Sequence, residues 1–172
     1  MILRAHGLSV VVPRGWDGRI FRRDESAVTS PAGLGSGSES GVASVGVPQS
    51  GRTMPVMHLA NFALPENRGD YGSGAVNLMR PRDVFVAMLE FGPESVGTPL
   101  FAPAGLPALR ADDLTSETMQ HPVATMGGAQ RFFTVSGRAF CTYAVVGSLA
   151  RRSSLVAMLN DALSGVTVGP DS

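Results

Sequence analysis

The sequence predicts an α+β protein with a mostly antiparallel sheet that is covered on both faces and carries a C-terminal helix. Three features support this class: an apolar run at 84–89, a hairpin signal within 129–146, and an amphipathic pattern at 151–164. The chain has 172 residues, which fits one domain with a sizeable core. We therefore expect a single domain over 1–172.

The hairpin is the clearest strand signal. Two apolar runs flank a Ser-Gly pair at 136–137, as a two-residue turn requires. This register pairs Phe133 with Phe140 on one face of the hairpin and Phe132 with Cys141 on the other. Because each face presents an aromatic residue, both faces of the sheet need cover from helices or loops.

Two further segments define the centre and the end of the fold. The run at 84–89 is apolar throughout, which indicates a central strand that is buried on both faces. Leu155 and Leu159 belong to an apolar stripe at helical spacing, so 151–164 is predicted to be a helix. A serine at 153–154 is the predicted N-cap of this helix, and a glycine follows its predicted end.

The remaining elements are shorter. Strands are predicted at 8–12 and 18–23, at 55–64, and within 112–120, and a turn with one helical turn is predicted at 72–79.

A compositional shift separates 24–53 from the rest of the chain. This segment contains PAGLGSGSESG and no aromatic residue, so it is predicted to be a mobile Gly/Ser-rich loop or insertion within the domain.

Composition excludes several functions. The chain has 14 basic and 14 acidic residues and no lysine, so Schiff-base chemistry and a Walker A phosphate loop are ruled out. Its formal net charge of zero gives no reason to expect nucleic acid as a partner. No apolar run reaches the length of a membrane span, and the expected location is cytoplasmic without membrane insertion. The single cysteine, Cys141, lies in an apolar run and is predicted to be buried.

No catalytic or metal-binding set is evident. His6, His58 and His121 are the only histidines, and they are widely separated in the sequence. His58 lies among apolar residues and is predicted to be a core histidine with satisfied hydrogen bonds. There is no G-x-S-x-G elbow. We expect no metal, no cofactor and no catalytic residues.

The stretch ENRGDYGSGAV at 66–76 has three interpretations. It contains an Arg-Gly-Asp adhesion tripeptide and a glycine cluster that could cradle a phosphate, and it precedes an apolar run as a turn would. We favour the turn, in which the glycines at 69, 72 and 74 allow positive φ. Asp70 and Tyr71 are then a polar pair on this turn and candidate contact residues.

Two groups of arginines are also candidate contacts. Arg19, Arg22 and Arg23 lie in one predicted strand, with Arg19 and Arg23 on one face and Arg22 on the other. They could contact a partner or protect a sheet edge from aggregation. Arg151 and Arg152 precede the predicted helix, where they could hold an anion or extend into water.

Both ends of the chain carry a family resemblance. The stretch GLSVVVPRGW at 7–16 is a strand that runs into proline and then a Gly-Trp pair, and 129–164 is a hairpin followed by a terminal helix. These features resemble the Mog1/PsbP/DcrB-like superfamily. The resemblance implies an α/β/α sandwich around an antiparallel sheet. It also implies an accessory role, since members assist larger assemblies: a small GTPase for Mog1 and photosystem II for PsbP.

Three functions follow as hypotheses. The leading one is a non-enzymatic accessory protein that binds a protein partner of unknown identity. The second is a small-ligand-binding domain or hydrolase with a pocket near the turn at 69–74, which would use Asp70, Tyr71 and Ser73. The third is a subunit of a homomeric assembly in which the loop at 31–51 orders on contact.

Overall fold

The computed structural model describes residues 1–23 and 53–170. The predicted Gly/Ser-rich insertion falls almost entirely on 24–52 and so lies outside the described residues. The described chain is strand-rich, with two antiparallel sheets and one C-terminal helix. Its elements are β1 (Ile2–Ala5), β2 (Leu8–Val11), β3 (Asp17–Arg22), β4 (Pro55–Ala60), β5 (Val84–Phe91), β6 (Gly127–Val135), β7 (Arg138–Val146), α1 (Arg152–Ser164) and β8 (Val166–Val168).

The larger sheet has five strands in the order β3-β4-β5-β7-β6, and the smaller has three in the order β1-β2-β8. All of the paired strands are antiparallel. The predicted central position of the 84–89 run is confirmed, because β5 pairs with β4 on one side and β7 on the other.

Two buried clusters meet at β5. Val86 and Met88 pack in a first cluster with residues of α1, β2 and β8. Phe85 and Leu89 pack in a second cluster with residues from the connections at 61–83 and 114–126. This alternation follows from the two-residue period of a strand, and it explains why the segment is apolar at every position.

The predicted hairpin register is confirmed. Phe133 lies opposite Phe140, and Phe132 lies opposite Cys141. The turn residues have φ of 53° and 71°, as a two-residue turn of this handedness requires. Cys141 is buried as predicted, and burial raises the pKa of its thiol to about 11.

The predicted helix is present, but its predicted N-cap is wrong. The chain enters α1 through a 3-10 turn at Leu149–Arg151, which makes Arg151 the capping position. Arg151 makes no side-chain cap, and the Ser154 hydroxyl instead donates to the Arg151 carbonyl at 3.0 Å. The helix ends at Gly165 as expected.

The N-terminal segment holds two strands where the sequence predicted one. A turn at His6 and Gly7, with φ of 51° and 70°, folds β1 back onto β2. The turn is a His-Gly pair rather than the usual Asn-Gly or Asp-Gly pair, so the sequence lacks the strongest hairpin signal at this position. The short strand β8, which completes the smaller sheet, was also missed.

The strand predicted within 112–120 is wrong. Ala111–Asp113 form a 3-10 helix instead, which a carboxylate of Asp113 caps by accepting a hydrogen bond from the Arg110 backbone at 2.8 Å. In this region Thr115 forms a single β-bridge, with Gly128 of β6. The single helical turn predicted within 72–79 is present at Val76–Leu78.

A buried ion pair ties the smaller sheet to the larger one. Arg138 donates through Nε and Nη2 to the Glu90 carboxylate at 2.8 and 2.5 Å. It also donates to the His6 and Gly169 carbonyls, each at 3.0 Å. This pair therefore fixes the first hairpin and the end of β8 against the central strands.

None of the helices within the described ranges combines the length and the apolar character that spanning a bilayer would require.

Candidate functional site

The Arg-Gly-Asp tripeptide folds inward around His58. This histidine is fully buried on β4, and its Nε2 lies 2.7 Å from the Asp70 carbonyl oxygen. Arg68 donates through Nε to His58 Nδ1 at 2.9 Å. Because an arginine N–H can only donate, Nδ1 must be unprotonated, and Nε2–H donates to Asp70. The predicted role of His58 as a satisfied core histidine is confirmed.

This environment favours the neutral imidazole. The pKa of His58 is lowered from 6.5 to about 4, mainly by burial; the hydrogen bond to Asp70 opposes this shift, and the Arg68 charge adds to it. The ring also packs edge-on against Phe21 and Phe85, with centroids 5.0 and 5.1 Å away. His58 is therefore a neutral anchor for the segment that carries Asp70.

Arg68 is engaged by the protein itself. Besides His58, it donates through Nη1 to the Pro65 carbonyl at 2.7 Å, and its guanidinium lies 5.3 Å from the centre of the Phe21 ring. An adhesion motif would need a displayed arginine side chain. The structure therefore favours a structural role for the tripeptide.

In the turn that follows, two of the three glycines have the positive φ that the sequence predicts. Gly72 and Gly74 have φ of 82° and 90°, whereas Gly69 is not among the residues with positive φ. A Cβ at Gly72 would also overlap the Phe85 ring. Close approach to the central strand thus adds a second reason for glycine at this position.

Asp70 and Arg23 meet at this turn, although the sequence separates them widely. The Asp70 carboxylate lies 3.6 Å from Arg23 Nε. Arg23 also donates through Nη2 to the Glu90 carbonyl at 2.9 Å, and its guanidinium lies 5.5 Å from the Phe91 ring centre. The end of β3 and the turn are therefore joined across one side of the larger sheet.

Tyr71 belongs to the same group. Its ring meets Tyr143 edge-on at 5.7 Å between centroids. The pKa of Tyr71 is raised to about 12, mainly by burial; the neighbouring Cys141 and Asp70 contribute to this rise, and Arg23 opposes it. The hydroxyl therefore stays protonated and can donate a hydrogen bond at neutral pH.

Aromatic rings continue this surface along the sheet. The rings of Phe91, Phe101 and Phe132 contact one another, with centroids 5.2 to 6.2 Å apart. Phe91 and Phe132 stay half-buried, as do the polar residues beside them. We call this group the Asp70 surface; it consists of Arg23, Asp70, Tyr71, Phe91 and Phe132.

The other predicted contact residues lie elsewhere. Arg19 pairs with Asp17 at 2.5 Å at the other end of β3. Arg22 contacts the smaller sheet, where its Nε donates to His6 Nδ1 at 3.2 Å, so its contacts lie opposite those of Arg23. Arg151 is exposed at the start of α1, and so is Arg152. Since α1 packs in the first cluster, both lie on the other side of the sheet from the Asp70 surface.

The ligand-binding or hydrolase hypothesis requires a pocket at 69–74. The two best-formed depressions of the described chain lie beside β1, and neither includes this turn. The described ranges also contain no group of three or more His, Cys, Asp or Glu side chains placed to hold a metal ion.

Sequence reasoning missed part of this arrangement. The sequence predicts Asp70, Tyr71 and Arg23 as candidate contact residues, but it predicts Phe91 and Phe132 only as strand residues. Arg68 was noted only as part of the tripeptide, although its bond to His58 holds the turn in place. The sequence signal for this bond is an arginine ten positions after a histidine in a buried strand, and this signal is weak.

Comparisons of the chain with protein-family models, curated proteins and solved structures find no match. The resemblance to the Mog1/PsbP/DcrB-like superfamily stays a prediction.

Proposed function

We propose that this chain is a non-enzymatic accessory protein that binds a protein partner through the Asp70 surface. The supporting observation is the convergence of Arg23, Asp70 and Tyr71 beside half-buried aromatic rings. Arginine and tyrosine are the residue types that most often dominate binding energy at protein interfaces.

The surface is suited to a protein partner in its rigidity as well as its composition. Arg23 is restrained by the Glu90 carbonyl and the Phe91 ring, and Asp70 by the backbone bond to His58. Side chains that are ordered before binding lose less conformational entropy on association. A partner that combines an apolar side chain with a hydrogen-bonding group fits the mixture of rings, carboxylate and guanidinium.

We also propose the finer fold assignment, an α/β/α sandwich-like arrangement of the Mog1/PsbP/DcrB-like kind over a single domain. The contact of α1 with β5 and β7 supports it on one side of the larger sheet. On the other side, support comes from the connecting segments, whose residues Leu64 and Ala75 pack in the second cluster.

The test uses two surface variants and one control. Arg23→Ala and Tyr71→Ala remove members of the Asp70 surface, whereas Arg14→Ala removes an exposed arginine in the turn before β3. Partners captured from an extract of the natural source are purified, and their affinity is measured by calorimetry. We expect Tyr71→Ala to weaken binding at least about tenfold, as hot-spot residues do, and Arg14→Ala to leave it unchanged.

Three outcomes would contradict the proposal. One is equal affinity of the Tyr71→Ala variant and the wild type for the captured partner. Another is the absence of a stable partner together with measurable turnover on a substrate panel. The third is concentration-dependent self-association in light scattering that Tyr71→Ala abolishes, which would favour the homomeric subunit.

A further inference from the structure

A shallow depression of about 410 Å³ lies on the smaller sheet, beside the turn of the first hairpin. Its polar lining comes from Arg4, His6, Ser9 and Thr167. None of its lining residues is acidic. The depression is separate from the Asp70 surface, because the two share no residue.

Strand register places three of these residues in one row. Arg4 lies opposite Ser9 in the β1–β2 pair, and Ser9 lies opposite Thr167 in the β2–β8 pair. Residues directly opposite each other in antiparallel strands have their side chains on the same face. The neighbours Leu8 and Val10 point the other way into the first cluster. The row therefore projects a guanidinium and two hydroxyl groups away from the core.

His6 adds a fourth donor at the end of this row. Its Nδ1 accepts a hydrogen bond from Arg22 Nε at 3.2 Å. In the neutral ring the proton must then be on Nε2, which is left as a donor.

The backbone around the row is held in place. Arg138 donates to the carbonyls of His6 and Gly169, and the Gly169 N–H donates to the Gly7 carbonyl at 2.8 Å. Arg138 is itself fixed by the buried Glu90 carboxylate. The turn and the end of β8 are therefore positioned before any ligand arrives, which reduces the entropy lost on binding.

We propose that this depression binds a small oxyanion group, a carboxylate or a phosphate, through Arg4, His6, Ser9 and Thr167. An arginine guanidinium matches the geometry of both groups, and N–H and hydroxyl donors complete their coordination. A second depression of about 210 Å³ on β1 shares Arg4 and also has no acidic lining residue.

The experiment is an NMR titration of ¹⁵N-labelled protein. Inorganic phosphate and acetate are added in separate series at constant ionic strength, with sodium chloride as the reference series. We expect saturable amide shifts at 4–9 and 167–169 with at least one of the two anions. Shifts with phosphate alone identify a phosphate ligand, and shifts with acetate show that a carboxylate is accepted.

Two variants and a control assign the site. Arg4→Gln removes the charged guanidinium, and His6→Asn replaces the imidazole with a shorter side chain that tolerates the left-handed conformation at the turn. We expect each to weaken the apparent affinity at least about fivefold, while Arg14→Gln leaves it unchanged. If Arg4→Gln does not fold, the His6→Asn series decides alone.

The inference is overturned if the shifts do not saturate, if sodium chloride reproduces them, or if both variants bind as well as the wild type. Because these residues lie outside the Asp70 surface, each of these results leaves the proposed partner binding unaffected. Failure of the Tyr71→Ala test would likewise leave the anion site standing.

Discussion

His58 is a polar side chain that packs against Phe21 and Phe85 of the second cluster and has no solvent contact, yet both of its ring nitrogens are hydrogen-bonded. A buried polar group without partners would cost about 1–3 kcal/mol. Arg68 and the Asp70 carbonyl remove that cost, and in doing so they hold the turn at 69–74 against the sheet. The same contacts that satisfy the histidine therefore position the Asp70 surface.

The neutral state of His58 predicts a loss of stability in mild acid. Its pKa is 6.5 when unfolded and about 4 in the folded protein, so the unfolded chain binds its proton first as the pH falls. The contribution of neutral His58 to the free energy of unfolding is fully present above pH 6.5. It decreases by about 3 kcal/mol in total as the pH falls to about 4. Urea unfolding across this range measures it.

The matched control for this prediction is His58→Phe, which keeps an aromatic ring beside Phe21 and Phe85 but cannot bind a proton. We expect its free energy of unfolding to vary less with pH over the same window. Parallel profiles for the variant and the wild type would show that other groups cause the acid sensitivity.

The Arg138–Glu90 pair gives a second residue-scale prediction. Both side chains are almost completely buried, with 5% and 4% of their surface exposed. Arg138→Met leaves a buried carboxylate without its partner, and we expect a loss of about 3–5 kcal/mol in the free energy of unfolding. Denaturant titration provides the measurement.

The double variant Arg138→Met/Glu90→Leu separates the cost of the unpaired carboxylate from the loss of the other Arg138 hydrogen bonds. Both variants lose the bonds to the His6 and Gly169 carbonyls, so the difference between them reports the unpaired carboxylate. We expect the double variant to be more stable than the single one. A double variant as unstable as the single would assign the loss to those backbone bonds.

At the scale of elements, the β6–β7 hairpin shows how far local pattern determines structure. Its register follows from turn length and alternation alone, because a two-residue turn leaves only one pairing between the flanking runs. The entry to α1 shows the opposite case. The serines near its start are good caps in isolation, but the 3-10 turn at Leu149–Arg151 shifts the capping position away from them.

Gly137 tests the turn of the hairpin. Its φ is 71°, and a Cβ built there meets no other atom within 4 Å, so only backbone strain opposes a side chain. We expect Gly137→Ala to lower the free energy of unfolding by about 1–2 kcal/mol. The loss should be smaller in Gly137→Asn, because asparagine tolerates the left-handed region. Equal losses in both variants, measured by thermal unfolding, would contradict this explanation.

At the scale of the whole molecule, the two sheets share one core. Leu8, Val10 and Val166 of the smaller sheet pack in the same cluster as Met88 and Leu159. The smaller sheet cannot separate from the larger one without exposing this cluster to water. The described chain should therefore unfold as one unit rather than sheet by sheet.

Two probes can check this expectation. Trp16 is the only tryptophan, lies next to the start of β3 and packs against the shared cluster, so its fluorescence reports the joint between the sheets. Far-UV circular dichroism reports the strands and α1. We expect coincident transitions in urea. A fluorescence change at lower urea than the dichroism change would show that the smaller sheet opens first.

The sequence by itself determined the central strand, the hairpin register and the helix. Each depends on the period of apolar residues or on turn chemistry within a few positions of the chain. Asp70, Tyr71 and Arg23 could be selected from the sequence as candidates, but nothing local indicated that Arg23 meets Asp70.

Tertiary structure alone decided which distant residues meet. The pairing of Arg23 with Asp70 and the bond between Arg68 and His58 require the connection after β4 to fold back over the sheet. The row from Arg4 to Thr167 requires the pairing of β2 with β8, which lie at opposite ends of the chain. Those depend on how the apolar faces of several elements pack together, and no local period encodes that choice. The physical reason is that strand order is set by the shared core, which forms only when all of its elements are present.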